Sequence, residues 1–295
     1  MIKRILFIFI LLVSSLSFSQ LSKNHYIPPI SSGPSNADPL DQLMYISTPS
    51  QGDVNFTINI VGGNSISGTV SNATPYVYGI ADSGYSSFVQ DPATTSRVTS
   101  DKGYIINADS PIYVSVRLNA GSNAQAGALV SKGENALGTT FRIGTYDNQG
   151  SPGSNYLNFF SFMATEDNTT VNLTNERVTS GLQIQNAGAQ QFPINNISLN
   201  RGQTYVVAVK PQDANENRAG LIGTLVSSDK PIVVNSGSAN GSFGNGGARD
   251  YGIDQIVELS KVGKEYIFVK GDGDNSFENV LVVAHDDNTE VSVNG

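Results

Sequence analysis

The sequence has no cysteine, no tryptophan and only two histidines among its 295 residues. Without cysteine, disulfides and thiolate metal sites are excluded, so the stability of the fold has to come from burial and β-ladders. Charge is also scarce, because charged residues make up 14% of the chain, and the net charge is −8. An acidic chain without clusters of Lys and Arg is a poor partner for nucleic acid or an anionic membrane, so neither is expected to bind.

Long apolar runs are missing everywhere except at the N-terminus. There, Lys3 and Arg4 precede the apolar run Ile5–Val13, and small and polar residues follow as far as Ser19. This layout predicts that residues 1–19 are a cleaved secretory signal peptide. The run is too short to span a bilayer, so the mature chain is expected to have no membrane span. The protein is therefore expected to pass through the inner membrane and to act outside the cell or on its outer surface.

The mature chain is rich in Gly, Asn, Ser, Thr and β-branched residues and has little helical periodicity. This composition predicts an all-β fold. Residues 20–40 are rich in Pro, Ser and Asn and are interpreted as an extended leader ahead of the first strand. Residues 41–295 are then predicted to form an all-β repeat domain.

One phrase occurs twice, as ATEDNTTVNLT from Ala164 and as AHDDNTEVSV from Ala284. It belongs to a series in which an apolar segment, a turn with an aspartate and an alternating segment recur about every 58 residues. The aspartates of the series are Asp53, Asp109, Asp167, Asp229 and Asp287. Each member is interpreted as a β-hairpin. The turns alternate between two types, which gives a larger period of about 120 residues.

Two architectures fit this repetition. About four short strands in each 58-residue unit are typical of propeller blades, so a β-propeller is favoured. Tandem β-sandwiches of about 120 residues, with the two hairpin types in opposite sheets, are the alternative. The fifth unit has three strand-like segments and ends at Asn294-Gly295, a hairpin-turn dipeptide. The repeat domain is therefore expected to be truncated at its C-terminal end and to belong to a longer polypeptide.

Several segments resemble the N-terminal domain family of IgG Fc-binding protein, which occurs in animal mucus proteins and in large bacterial surface proteins. The matching segments, in order, are 136–141, 223–237, 254–269 and 280–295. The resemblance implies the N-terminal module of an adhesin or matrix-type protein and carries no enzymatic activity with it. Animal members have cysteines in the loop that corresponds to residues 242–250, whereas this chain has none.

The leader and the signal peptide ending SFSQ also resemble gliding-associated surface proteins of Bacteroidota. Those proteins leave the cell through the type IX secretion machinery. This second resemblance implies gliding motility as a context and the secretion machinery as a partner.

Candidate binding residues lie in the long connections between strand-like segments, which four-stranded units would gather on one face of a β scaffold. Tyrosines with Asn and Asp suit a surface glycan or a protein ligand, because aromatic faces stack on sugar rings and polar groups bind hydroxyls. The candidates are Tyr146, Asp147, Asn148, Tyr156, Asp213, Asn215, Arg249, Asp250 and Phe277.

Two alternative functions stay open. Asp272, Asp274 and Glu278 are candidate Ca²⁺ ligands, because calcium accepts flexible cages of oxygen atoms, and they would suit a calcium-stabilised lectin-like domain that binds polysaccharide. A carboxylate pair in the acidic loops would suit a polysaccharide-degrading enzyme. No catalytic motif accompanies His25 or His285. The sequence therefore favours a non-catalytic module, with calcium as the one cofactor to consider.

Overall fold

A computed structural model describes residues 20–33, 39–119, 126–146, 157–177, 182–187, 192–209, 219–241, 250–271 and 280–293. Regular structure in these ranges is dominated by β-strands, with three short 3-10 turns at 92–94, 133–136 and 259–261. The all-β prediction is confirmed. The predicted signal peptide lies outside the described residues.

The strands are numbered in chain order. The first ten are β1 (Ser22–Ile27), β2 (Ile30–Ser31), β3 (Leu40–Ser47), β4 (Val54–Ile60), β5 (Ser65–Val70), β6 (Tyr76–Ser83), β7 (Val89–Gln90), β8 (Val98–Thr99), β9 (Tyr104–Asn119) and β10 (Gly127–Val130). The following ones are β11 (Gly138–Arg142), β12 (Asn158–Ala164), β13 (Thr169–Thr174), β14 (Ile194–Leu199), β15 (Thr204–Ala208), β16 (Leu225–Gly241) and β17 (Asp250–Ile256).

The first sheet is organised around the long strand β9. The N-terminal half of β9 lies between β4 and β1, and the C-terminal half lies between β3 and β10, all antiparallel. β5 and β6 extend the sheet beyond β4 and β3. In β4, the alternating sequence VNFTINI buries Val54, Phe56 and Ile58 and leaves Asn55 and Thr57 on the outer side. This period of two is what a strand with one covered face requires.

The second sheet has the same plan around the long strand β16. The N-terminal half of β16 lies between β13 and β11, and the C-terminal half lies between β12 and β17. β14 and β15 extend this sheet beyond β13 and β12, and β8 from the first part of the chain pairs with β15. The positions of β1, β3, β4 and β10 in the first sheet are therefore taken by β11, β12, β13 and β17 in the second.

A matched pair of hydrogen bonds supports this correspondence. Each long strand has a proline in its middle, Pro111 in β9 and Pro231 in β16. Thr48 Oγ1 donates to the carbonyl oxygen of Pro111 at 3.0 Å, and Thr165 Oγ1 donates to that of Pro231 at 2.6 Å. Each threonine directly follows the strand that pairs with the C-terminal half of the long strand.

A second matched pair involves the aspartates two residues ahead of these prolines. Asp109 accepts a hydrogen bond from Asn55 Nδ2 at 2.8 Å, and Asp229 accepts one from the backbone N–H of Thr170 at 2.7 Å. In both sheets, the aspartate therefore links the long strand by a hydrogen bond to the strand beside its N-terminal half.

The predicted hairpins are wrong. The chain continues through Asp109 and Asp229 as a single strand. Asp and Pro are typical turn residues, but ladder partners on either flank, up to Ala108 and Ser228 and again from Ile112 and Ile232, keep the chain extended. The strands that flank Asp53 and Asp167 do not pair with one another, because each pairs with a different half of a long strand.

The strand pairing confirms neither the propeller nor the 58-residue repeat. It also differs from the interpretation of residues 20–40 as a leader ahead of the first strand. Ser22–Ile27 is itself a strand of the first sheet, and Ile30–Ser31 pairs in parallel with β7. Burial of Ile27 and Ile30, both fully inaccessible, explains why this Pro-rich segment is ordered into the fold.

Two hydrophobic clusters form the core, and β12 separates them. Phe159 belongs to the first cluster with Met44, Ile58 and Val114, whereas Phe160 belongs to the second. All seven residues of β12 are buried. A strand covered on both faces needs a continuous apolar run rather than an alternating one, and NFFSFMA provides it.

Candidate binding surfaces

Two of the predicted binding residues, Tyr146 and Asp250, are described, and the structure brings them together at one corner of the second sheet. Burial raises the pKa of the Tyr146 hydroxyl, and the nearby Asp250 carboxylate raises it further. Asp250 Oδ1 accepts a hydrogen bond from the backbone N–H of Ala126 at 3.0 Å. The other candidates, which are Asp147, Asn148, Tyr156, Asp213, Asn215, Arg249 and Phe277, lie outside the described residues.

Glycines allow the Tyr146 ring to occupy this corner. A Cβ on Gly241 or Gly252 would collide with the ring, so the ring packs directly on two backbone segments. Asn158 Nδ2 donates to the Tyr146 carbonyl oxygen at 2.7 Å, which fixes the chain at the end of the segment that follows β11. The ring position is thus set by backbone approach and not by a pocket of side chains.

An open groove of about 330 Å³ runs beside Tyr146. Its lining includes Gly144, Ser236, Ile253, Asp254 and Leu281. Ser236 Oγ donates to the Gly144 carbonyl oxygen at 2.6 Å. The groove is lined by one carboxylate, that of Asp254, and by Leu281, an aliphatic residue from a distant part of the sequence. It is therefore a region where chain segments contact each other as well as an opening to solvent.

The outer face of the first sheet around β3 presents a second surface, here called the open face. Its residues are Leu43, Tyr45, Val77, Tyr113, Arg117 and Val130, assigned by cross-strand register. Val77 is 49% exposed and Arg117 is also exposed. The Arg117 guanidinium lies 5.3 Å from the centre of the Tyr45 ring, a cation–π distance.

The corresponding face of the second sheet is buried against the first sheet. By register, Phe159 and Ser161 of β12 occupy the positions of Leu43 and Tyr45 in β3. Both are fully inaccessible, and Ser161 Oγ donates to the carbonyl oxygen of Pro29 at 2.5 Å. Sequence reasoning missed the open face. In LDQLMYIS both sides of the strand carry large apolar residues, and this pattern fits burial on both faces as well as one exposed apolar face.

His25, placed in the leader by the sequence interpretation, is fully buried in β1. Its Nε2 lies 3.1 Å from the carbonyl oxygen of Ser22 and 3.0 Å from that of Ile112, so Nε2 carries the proton. Its Nδ1 lies 2.9 Å from Ser131 Oγ. A serine–histidine contact of this kind resembles a nucleophile–base pair, but here it is sealed inside the core, and Nε2 bonds to backbone carbonyls instead of a carboxylate.

The buried state of His25 predicts a pH dependence of stability. Burial, the largest influence, lowers the pKa of His25 below its ordinary value. As pH falls, the unfolded chain therefore takes up the proton before the folded chain does, and the free energy of unfolding should decline below about pH 6.5, by no more than about 1.4 kcal/mol per pH unit. Urea unfolding of the wild type and of His25→Gln between pH 7.5 and 5.5 checks this. Equal slopes in both proteins would contradict it.

The other histidine, His285, is exposed, and its Nδ1 accepts a hydrogen bond from Arg142 Nε at 3.1 Å. In the part of the chain that the structure describes, no group of three or more His, Asp or Glu side chains is placed to hold a metal ion. The predicted calcium ligands Asp272, Asp274 and Glu278 lie outside that part, so this site stays a prediction.

The chain matches a known protein family. The family model described as IgGFc binding protein matches residues 126–295, which is more than half of the chain. The chain belongs to the IgGFc binding protein family. No curated protein and no solved structure matched the chain.

The IgGFc binding protein match covers β10, the second sheet apart from β8, and the segments that follow it. It confirms the family resemblance seen in the sequence and identifies a binding module. The Tyr146 corner lies inside the match, and most of the open face lies ahead of it. Among the described residues, none of the helical segments has the length and apolarity needed to cross a bilayer.

Proposed function

We propose that this IgGFc binding protein family member is the exported, non-catalytic N-terminal binding module of an adhesin-type surface protein. Three features support the proposal: the family is a binding family, the first nineteen residues have the layout of a signal peptide, and two sheets form a scaffold with a shared core.

The observation that carries the proposal is the contrast between equivalent faces of the two sheets. The face around β12 packs against another part of the protein, and its Phe159 is fully buried. The equivalent face around β3 is exposed at Val77 and Arg117. Because this sheet face already serves as a protein contact once in the molecule, the partner of the open face is inferred to be a protein surface.

The chemistry of the open face defines the partner more closely. Tyr45, Tyr113 and Leu43 give a broad amphipathic area, and tyrosines bind strongly at interfaces because their rings add contact area at low entropic cost. Arg117 supplies the positive charge in an otherwise acidic protein. The face therefore fits a flat protein surface with an apolar centre and a carboxylate opposite Arg117.

Charge reversal on the open face tests the proposal. The mature chain is immobilised, and IgG Fc fragment and purified mucin are passed over it as the two probes. We expect one of them to bind, and Arg117→Glu to weaken binding by about tenfold or more, as truncation or reversal of interface arginines often does. The melting temperature of the variant should match that of the wild type, because Arg117 is exposed.

Arg97→Glu is the matched control, since Arg97 is also exposed but lies next to β8, away from the open face. It should leave binding unchanged within about twofold. Equal weakening by Arg97→Glu and Arg117→Glu would show only a general charge effect and would remove the open face from the proposal. Absence of binding to both probes would contradict the proposed protein-binding role.

A further inference from the structure

The outer side of β4 and β5 in the first sheet is polar but carries no charge. The strand sequences VNFTINI and SISGTV contain no Asp, Glu, Lys or Arg. By register, the outward side chains form three cross-strand pairs, which are Asn55 with Thr69, Thr57 with Ser67, and Asn59 with Ser65. Exposed positions usually include charged residues, so a surface made only of amides and hydroxyls indicates a requirement other than solubility.

These side chains belong to a line of hydrogen bonds that crosses the sheet from β5 to β1. Ser65 Oγ donates to Asn59 Oδ1 at 2.8 Å, and Asn59 Nδ2 donates to Asn107 Oδ1 at 3.1 Å. Asn107 Nδ2 then donates to Asn24 Oδ1 at 2.7 Å, and Asn24 Nδ2 donates to Glu134 Oε1 at 2.7 Å. The line therefore joins one residue from each of four neighbouring strands to the turn that precedes β11.

The carboxylate of Glu134 fixes the orientation of the three amides in this line. A carboxylate only accepts hydrogen bonds, so Asn24 has to present its amide nitrogen to Glu134 and its oxygen to Asn107. The same orientation follows for Asn107 and Asn59. Asn59 Nδ2 is also anchored to the backbone, because it donates to the Ile105 carbonyl oxygen at 3.1 Å. The amides are therefore preorganised, and a ligand would not have to order them.

An open groove of about 290 Å³ lies on this surface, here called the polar groove. Its polar side chains are those of Asn55, Thr57, Ser67, Asn107 and Asp109. No lysine or arginine occurs among the described residues that line it. The polar groove lies over the N-terminal half of β9, whereas the open face lies around its C-terminal half, so the two surfaces are separate.

The polar groove offers both acceptors and a donor that its own hydrogen bonds leave free. Asn55 Nδ2 donates to Asp109 Oδ2 at 2.8 Å, and in the described part of the chain neither Asp109 Oδ1 nor Asn55 Oδ1 has a donor. Thr57 Oγ1 and Ser67 Oγ lie 3.3 Å apart, and one of their two protons is enough for the bond between them. Two acceptor oxygens and one O–H donor are therefore available to a ligand.

This set of groups selects a neutral ligand with many hydroxyls. A sugar hydroxyl donates and accepts, so neighbouring hydroxyls can donate to Asp109 and Asn55 while accepting from Thr57 or Ser67. An anionic ligand would meet the Asp109 carboxylate without a cation to offset its charge. An apolar protein surface would displace water from these polar groups without replacing its hydrogen bonds. The groove is open, which suits a chain that crosses the sheet better than a small sugar that needs enclosure.

We propose that the polar groove over β4, β5 and β9 binds a neutral polysaccharide chain. Asp109 and Asn55 accept hydrogen bonds from its hydroxyls, and the hydroxyl pair of Thr57 and Ser67 donates one in return. The amide line from Asn59 to Glu134 keeps the floor of the groove rigid. This site adds a second ligand class to the module, because the open face is inferred to bind a protein.

Electrophoresis of the mature chain in native gels that contain a polysaccharide tests the proposal. The neutral probes are dextran, laminarin, galactomannan and hydroxyethyl cellulose, and the anionic probes are alginate and polygalacturonate. We expect at least one neutral polymer to slow the protein and neither anionic polymer to do so. Asp109→Asn keeps an acceptor for Asn55 but replaces the free carboxylate oxygen, so it should raise the dissociation constant by about tenfold. Thr57→Val, which removes one hydroxyl at similar shape, should raise it by about fivefold.

Asp82→Asn is the matched control, because Asp82 is also exposed and its strand β6 lies at the opposite edge of the first sheet from β5. Each mobility is divided by that of the same variant in a gel without polymer, which removes the effect of the lost charge. Asp82→Asn and Arg117→Glu should bind the polymer within about twofold of wild type, and both Asp variants should keep the wild-type melting temperature. Retardation by none of the neutral polymers, or equal binding by Asp109→Asn and Asp82→Asn, would overturn the proposal. Loss of polymer binding in Arg117→Glu would place the site on the open face instead.

Discussion

Phe160→Ala is expected to lower the free energy of unfolding by about 3–5 kcal/mol, the largest effect of any single truncation considered for this fold. Phe160 is fully buried in the second core cluster, on a strand that is covered on both faces. Its removal loses the transfer free energy of the ring and leaves a cavity in the second core cluster, which a sheet held on both sides cannot close. Urea unfolding followed by circular dichroism measures the change.

Val77→Ala is the control for Phe160→Ala, since Val77 also lies in a strand but is 49% exposed. Its free energy of unfolding should stay within about 0.5 kcal/mol of wild type. A loss below about 1 kcal/mol in Phe160→Ala would mean that β12 is not clamped between two layers, and the description of the core would be wrong.

Gln255→Leu is expected to destabilise the protein by about 3 kcal/mol, because it removes the side chain that joins β17 to β1 and β10. Gln255 is fully buried. Its Oε1 accepts from the Lys132 backbone N–H at 2.7 Å, and its Nε2 donates to the Tyr26 carbonyl oxygen at 2.9 Å. Leucine has similar volume but leaves both backbone groups without this partner, at about 1–3 kcal/mol for each buried group.

The neighbouring residue provides the comparison for Gln255. Asp254 forms an ion pair with Lys132 Nζ at 2.7 Å, but the Asp254 side chain is 64% exposed. Exposed pairs of this kind contribute about 0–1 kcal/mol, so Asp254→Asn should have a small effect. If Asp254→Asn destabilises the protein as much as Gln255→Leu, the surface pair and not the buried amide holds β17 in place.

The fold class could be predicted from composition, but the strand pairing could not. Abundant β-branched and turn-forming residues predict strands whatever their partners are. The pairing depends on contacts far apart in sequence, such as Asn55 with Asp109, and a local pattern does not encode them. Asp-x-Pro at Pro111 and Pro231 has the composition of a turn, and only the partners on both sides of each long strand show that the chain runs straight through.

The candidate sites, like the fold, could be predicted only in part from the sequence. Tyr146 and Asp250 were predicted from loop composition, and the structure places them together because β11 and β17 both pair with β16. The open face around Tyr45 and Arg117 escaped prediction, since a strand that is apolar on both sides is equally compatible with burial on both faces, as β12 shows. Exposure depends on which neighbour covers the face, and the sequence of the strand does not contain that information.

Amide hydrogen exchange of the mature chain, read by mass spectrometry, tests most directly the claim that the two long strands β9 and β16 organise both sheets. Residues 104–119 and 225–241 should exchange slowly, through unfolding of the whole fold, because they lie between partners on both sides. Residues 65–70, which form an edge strand of the first sheet, should exchange orders of magnitude faster. Protection of residues 65–70 equal to that of residues 104–119 would contradict the account.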